Sequence, residues 1–390
     1  MRVALSVVVF IAGFAVVFET LGSVVRTLLL PRGVPARLAR VVFLSLRTVF
    51  RIRAGRRASY EKRDAIMALF GPVGLLALLA VWLSLVQFGC AAMFWGLGTD
   101  SVRDALTISG SSLFTLGFAL RSDSASIVLT FAEAAIGLML LALLITYLPS
   151  LYAAFSRREA EVTKLEVRAG TPPTGVEMIE RAQNLDRLDR LVDVWRTWED
   201  WFVDIEETHT SFPALSFFRS PQPDHSWVTA SGAVLDAASL SASTVDQPRP
   251  LEAELCIRAG YLALRRISDY FGIPYDPDPK PDDPISITRA EFDEAYERLG
   301  AAEVPLKEQE QAWKDFAGWR VNYDPVLLAL ATLTIAPIAP WSSDRGPIKI
   351  PRPPILRRTP RPPPRTSVNL KAIRRTPAER ERAAGDASGS

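Results

Sequence analysis

Residues 105 to 120 read Ala-Leu-Thr-Ile-Ser-Gly-Ser-Ser-Leu-Phe-Thr-Leu-Gly-Phe-Ala-Leu, a short, weakly polar stretch caught between two long apolar runs. One run covers roughly Ala65 to Leu97 and the other roughly Ser126 to Phe155, while a third, Val3 to Leu30, opens the chain. The 28 residues of that third run make ~42 Å of helix, more than the ~30 Å hydrocarbon core of a bilayer requires, so it can span with a tilt. Only Arg2 precedes it and no small-residue cleavage site follows, which argues against a secretory signal. Runs of this length do not belong to the core of a water-soluble domain, and nothing comparable occurs after Phe155. The chain therefore reads as a membrane protein with a large aqueous portion, and residues 105 to 120 join its second and third spans.

Thr115, Leu116, Gly117, Phe118 and Ala119 stand in register, without a gap, with the letters Thr-Val-Gly-Tyr-Gly, and Ala105, Leu106 and Ser109 match a common pore-helix opening. In these residues the stretch resembles the pore loop of potassium channels, and the resemblance covers about residues 65 to 155. It implies a short half-helix dipping into the bilayer, followed by a selectivity filter, Thr115 to Ala119, whose backbone carbonyls replace an ion's hydration shell. It also implies a permeant monovalent cation, potassium by the family's example, with no other cofactor. Because one chain carries one loop and such a filter takes four, the implied partner is the chain itself, as a homotetramer. Two positions depart from the pattern: Ala119 replaces the second glycine and Leu120 a following acidic residue. Alanine reaches the backbone angles of such a glycine only at a cost of ~1 kcal/mol or more. Ser109 and Ser112 of the pore helix and Glu133 of the third run are expected to support the filter. For Glu133 the alternative is a protonated interhelical carboxyl with no part in conduction. Gly137 falls where the family often has a hinge, and Pro149 where a kink can set the width of a gate.

Charge gives the topology. Residues 32 to 63 hold ten Lys or Arg against the single Glu61, which places this segment in the cytoplasm by the positive-inside rule. Arg37, Arg40, Arg47 and Arg51 share a helical face there, the pattern of an interfacial helix on anionic lipid. Arg157 and Arg158 close the third span on the same side. Glu19 interrupts the first run; it is expected to face a neighbouring helix or water or to be protonated, unless it marks the end of the hydrocarbon region.

Residues 159 to 344 carry 17 basic against 33 acidic side chains, a net −16 that the whole-chain value of +2 conceals. The apolar positions Leu188, Leu191, Trp195, Trp198, Phe202 and Ile205 recur at three and four residues, predicting one helix over about 176 to 207, with more helices near 226–243, 249–271, 288–300, 306–318 and 323–334. No dinucleotide-binding glycine fingerprint follows the third span. His209 and His225 lack the partners of a zinc site, and the acidic run 276–283 lacks the glycine and bidentate Glu of a calcium loop. Catalytic and metal residues are accordingly expected to be none, and an enzyme is not. Cys90 and Cys256 fall in different compartments, so no disulfide is expected. Residues 345 to 390, with nine prolines and twelve basic residues, predict a disordered tail able to meet anionic lipid, and nothing points to nucleic acid.

The expected architecture is an all-α, multi-pass protein of the cell membrane. It divides into a first transmembrane helix (1–31), a basic cytoplasmic interfacial segment (32–64) and a pore module (65–158, with the re-entrant loop at 104–120). An acidic helical cytoplasmic domain (159–344) and the tail (345–390) follow. The function expected is a tetrameric pore-loop cation channel. The alternative is a non-conducting receptor or scaffold that retains the channel fold and signals through its cytoplasmic domain.

Overall fold

The computed structural model describes residues 2–29, 37–54, 66–248 and 250–345, and among them the architecture is all-helical, with one isolated bridge between Val245 and Leu306. The proposed tail, apart from Arg345, and much of the basic segment lie outside the described residues. Three helices are long and apolar enough to cross a membrane. They are α1 (Arg2–Val24, continued by a π-helical turn, Val25–Leu29), α3 (Phe70–Gly96) and α5 (Ser124–Ala169); the amphipathic α2 (Arg37–Ala54) lies between the first two in sequence. Val8, Ile11, Phe14 and Phe18 on α1, Leu76 and Phe88 on α3, and Val128, Phe131, Leu138 and Ile145 on α5 are all exposed. An apolar surface of that extent suits hydrocarbon or another protein better than water.

Helices α1 and α3 pack backbone to backbone because glycine leaves room. A β-carbon on Gly89 would lie 2.7 Å from Val17 Cγ2 and 2.9 Å from Gly13 O, and one on Gly96 would lie 2.8 Å from Ser6 O. Small residues at such a crossing replace the hydrophobic effect, which lipid does not supply, with close van der Waals contact. Glu19 points outward and pairs within its own helix with Arg26 at 3.3 Å, so it faces no neighbouring helix.

Helix α5 runs unbroken for 46 residues, ~69 Å, through Gly137 and Pro149 and out to Gly170, whose φ of 78° closes the helix. Beyond it lie α6 (Gly175–Asn184), α7 (Leu191–Ser211), α8 (Trp227–Ser243), α9 (Leu251–Phe271), α10 (Arg289–Ala301), α11 (Gln309–Arg320) and α12 (Asp324–Thr334). The single helix expected over 176 to 207 is two. Asp186 takes a left-handed φ of 53°, and Arg187 N closes back on Ala182 O at 2.8 Å, ending α6 before the aromatic stripe begins. That stripe is real from Leu191 onward: Trp195, Trp198, Phe202 and Ile205 are buried, and α7 packs on both α9 and α5.

At the centre of this helical body is α8, built mostly of small residues and buried nearly all round, with α5, α6, α9, α11 and α12 packed on it. Its one buried charge, Asp236, is matched by Arg320, which also donates from Nε to Asp324 Oδ1 at 2.7 Å, and by the Tyr323 hydroxyl at 2.8 Å. The α1–α3 contact makes a direct prediction. Gly89→Leu should overpack the crossing and lower stability by roughly 1–3 kcal/mol, read as a lower melting temperature in detergent, whereas Leu76→Ala on the exposed face should leave it unchanged.

Candidate functional site

The stretch quoted first forms α4 (Val102–Leu113) and the turn after it. Ser101 caps α4, accepting from Asp104 N at 3.1 Å and donating to Asp104 Oδ2 at 2.7 Å, so the acidic residue sits where the helix N-terminus favours it. Ala105, Ile108 and Leu113 are buried, wedging α4 between α3 and α5.

The turn spends its backbone donors on the end of the helix it leaves. Thr115 N reaches Ser112 O at 3.0 Å, Leu116 N and Gly117 N reach Ser111 O at 2.8 and 3.4 Å, and Ala119 N reaches Ser111 Oγ at 3.1 Å. Among the described residues no hydrogen bond ends on the carbonyl oxygens of Thr115 to Ala119. Thr115 and Gly117 have φ of 54° and 75°. Glycine takes that conformation freely, but a β-branched residue does so only under constraint, and such outliers gather at functional positions. Leu116, Phe118 and Leu120 are exposed.

The three supporting residues expected from the sequence fare differently. Ser109 and Glu133 meet: Ser109 Oγ lies 2.5 Å from Glu133 Oε1 and 2.9 Å from Gln87 O on α3, joining three helices in one buried cluster. The Ser112 hydroxyl instead bonds back to Ile108 O at 2.9 Å, and only its carbonyl serves the turn. Ser111, one residue earlier, holds the turn with both carbonyl and hydroxyl. Gly137 is a contact and α5 does not break there: a β-carbon would strike Leu113 O, so the missing side chain lets α5 touch the end of α4. Pro149 lies within the same unbroken helix.

Comparison of the chain with protein-family models, with curated proteins and with solved structures finds no match. The function must be argued from this geometry.

A second polar cluster joins α5 to the helical body. Arg158, which by sequence stands at the close of the third span, has no exposed surface. Its guanidinium donates to Leu215 O at 2.9 Å, Phe218 O at 2.7 Å and Glu159 Oε1 at 2.7 Å, and lies over the Phe155 ring. The carbonyls belong to the Pro213–Phe217 turn and the residue after it, whose aromatics enter the start of α3. Phe217 meets Phe70 at 5.1 Å, Phe43 of α2 at 5.9 Å and Phe271 at 5.5 Å, while Gly71 leaves the space that Phe218 fills. Arginines also cap the body's helices. Arg40 donates to Tyr270 O at 2.6 Å at the end of α9, and Arg47 to Thr332 O at 2.9 Å. Arg219 donates to Ile335 O at 2.7 Å, just past the end of α12. Arg40 and Arg47, two of the cations assigned to lipid by sequence, are thus engaged with helix C-terminal carbonyls, where the helix dipole favours positive charge. Arg37 and Arg53 remain exposed, and the side chain of Arg51 lies outside the described residues.

A cleft of about 260 Å³ on the body is bordered by Asp236, Glu291, Glu294, Arg298 and Asp344. Three of its carboxylates have protein partners: Arg320 for Asp236, and Arg345 for Glu291 at 2.6 Å and for Asp344 at 3.5 Å. No group of three metal-ligating side chains occurs among the described residues.

Two predictions concern the joint. Arg158→Met should lower stability by roughly 3–5 kcal/mol, because it strands two buried carbonyls and Glu159; the check is a melting curve in detergent. His209 accepts from Arg158 at its Nε2, 3.3 Å away, and donates from Nδ1 to Ile205 O at 2.9 Å, as a neutral ring does. Burial first, and the Arg158 charge second, hold it well below the usual histidine range. The unfolded chain therefore takes up a proton near pH ~6.5 that the folded chain refuses, and this contribution to stability is lost as pH falls through that value. Melting temperatures at about pH 7.5 and about pH 5.5 should differ in that direction, and His209→Gln should reduce the difference.

Proposed function

We propose that the chain is one subunit of a pore-loop cation channel, a homotetramer in which the turn Thr115 to Ala119 of each copy contributes carbonyl oxygens to a shared ion path. The observation that carries this reading is the one-sided use of the turn's backbone. The N–H groups of Thr115, Leu116, Gly117 and Ala119 are bound to Ser111 and Ser112, and the carbonyls of the same residues accept nothing among the described residues. At membrane depth an unpaired carbonyl is costly, so such a turn requires protein, water or a cation on its open side. A row of carbonyls supplies what a dehydrated monovalent cation needs.

On this reading α3 and α5 are the outer and inner helices of the pore module, and α4 with its turn is a re-entrant loop. The exposed apolar residues of α5 face neighbouring copies or lipid. The basic segment, the acidic helical body and the tail lie in the cytoplasm, and the protein resides in the cell membrane. Contact with anionic headgroups falls to Arg37, Arg53 and the basic tail. Potassium is the ion favoured by the likeness of Thr115 to Phe118 to the family's filter.

The alternative, a non-conducting receptor or scaffold with a channel-like fold, draws on one observation. Ala119 is tied through its N–H to Ser111 and followed by an exposed Leu120, so the outer end of the turn lacks the freedom of a glycine. Reconstitution in liposomes separates the two. Potassium flux exceeding that of chloride is the expected result, together with a tetramer by mass measurement in detergent. Gly117→Val, which cannot adopt φ of 75° without strain, should abolish flux while leaving expression and melting temperature near those of the parent. Flux that survives this change would refute the placement of the ion path.

A further inference from the structure

Ser109 has one hydroxyl proton and two acceptors. Gln87 O, at 2.9 Å, is a carbonyl oxygen and can only accept, so the contact requires Ser109 to donate. Glu133 Oε1, at 2.5 Å from the same Ser109 Oγ, is within charge-assisted or carboxylic-acid hydrogen-bond range. Both contacts are hydrogen bonds at once only if a second proton is present, and the one group of the three that can bring it is the Glu133 carboxyl.

The surroundings point the same way. Glu133 has no exposed surface, and its second oxygen, Oε2, is buried without a partner. The titratable side chain facing it from α3 is Cys90, and α4 presents the Ser109 hydroxyl; no Lys or Arg side chain is among its electrostatic partners. An ionised carboxylate here would be desolvated with only the Ser109 hydroxyl and the weakly donating Cys90 thiol beside it and no cation to offset it, whereas a neutral acid leaves one carbonyl oxygen unpaired, a far smaller cost.

We infer that Glu133 is held as a neutral carboxylic acid donating to Ser109 Oγ, while Ser109 donates to Gln87 O, so that one proton completes a strap tying α4 to α3 and α5. When Glu133 loses that proton, Ser109 has a single hydrogen for two acceptors. It turns to the carboxylate, Gln87 O is left unpaired, and the bond from α4 to α3 is lost. Ser111, which holds the turn 115–119, lies two residues further along the same helix, so the strap's proton sets how firmly that turn is supported. Glu133 is thereby a positioning residue. The strap stands on the side-chain geometry alone; only its effect on ion flux rests on the pore reading.

Infrared spectroscopy of the purified full-length protein tests this directly. At neutral pH the parent should show a protonated-carboxyl stretch that is absent in Glu133→Gln. In Ser109→Ala the same band should remain, displaced, because the acid has lost its acceptor. Glu133→Gln keeps an N–H donor in the same place and should fold. If it does not, the displacement in Ser109→Ala still reports the donated proton. In detergent the parent's melting temperature should carry a component that falls as pH rises above the ~4.3 of an unfolded glutamate, and that component should be lost in Glu133→Gln. A spectrum with no Glu133-dependent protonated carboxyl at neutral pH, or a band that Ser109→Ala leaves in place, would overturn the proposal. In liposomes the parent should lose flux at alkaline pH and Glu133→Gln should keep it. Absence of flux from every variant would count against the pore reading, and the infrared result would still decide the strap.

Discussion

The structure turns on a guanidinium buried where the longest apolar helix, α5, joins the helical body. A lone cation at that depth would be costly, and Arg158 is tolerated because every direction of its fork is answered. Two carbonyls of the 213–218 turn, the Glu159 carboxylate, the lone pair of a neutral His209 and the face of Phe155 all receive it. Those partners come from α5, α7 and the turn leading to α8. Satisfying one charge therefore fixes the angle at which the helical body meets α5. The body could not rotate about α5 without stranding a buried charge, a stronger constraint than apolar packing, which can slide.

Around that charge the same chemistry is repeated at lower stakes. Arg40, Arg47 and Arg219 each deliver a guanidinium to carbonyls at the end of α9 or α12, the groups a helix cannot pair for itself. Between them, Phe43, Phe70, Phe217 and Phe271 supply apolar contact. The joint thus combines aromatics, which give area, with arginines, which give register. Two of those arginines come from α2, so a segment between the first two apolar helices in sequence is part of the body's own capping.

Much of this was legible in the sequence, and what was missed has physical causes. Span lengths follow from bilayer thickness, so all three apolar helices could be read directly. The turn at 115–119 was legible because Gly117, two residues after the Thr115 hydroxyl and next to Phe118, stands in a short weakly polar stretch between two apolar runs. The exact serine supporting it was not. Ser109, Ser111 and Ser112 are chemically alike, and only the helix phase at Leu113 decides that Ser111 faces the turn while Ser112 bonds back to Ile108. The stripe of α2 was read as lipid-facing because phosphate and a helix C-terminus offer an arginine the same attraction. Charge pattern alone does not tell them apart. The division between α6 and α7 was hidden because Leu188 keeps the apolar spacing across a break made by the backbone angle of Asp186.

Gly137 shows how closely the joint and the turn are linked. A glycine in a long helix is easily read as a bend, yet here its open face is filled by Leu113 O, the last helical residue before the turn. Bending α5 at that point would withdraw the helix from the end of α4 and disturb the carbonyls and hydroxyl on which Leu116, Gly117 and Ala119 depend. Helix α5 is unbroken from this contact to Arg158, 21 residues and ~31 Å further along. A displacement imposed on the body at Arg158 therefore has two places to go. It can be absorbed by the exposed apolar face of α5 sliding against whatever covers it, or it reaches Gly137 and alters the support of the turn. Lipid would permit the first at little cost. Neighbouring copies packed closely on that face, as in the proposed tetramer, would oppose it and so would join the body's position to the turn's geometry.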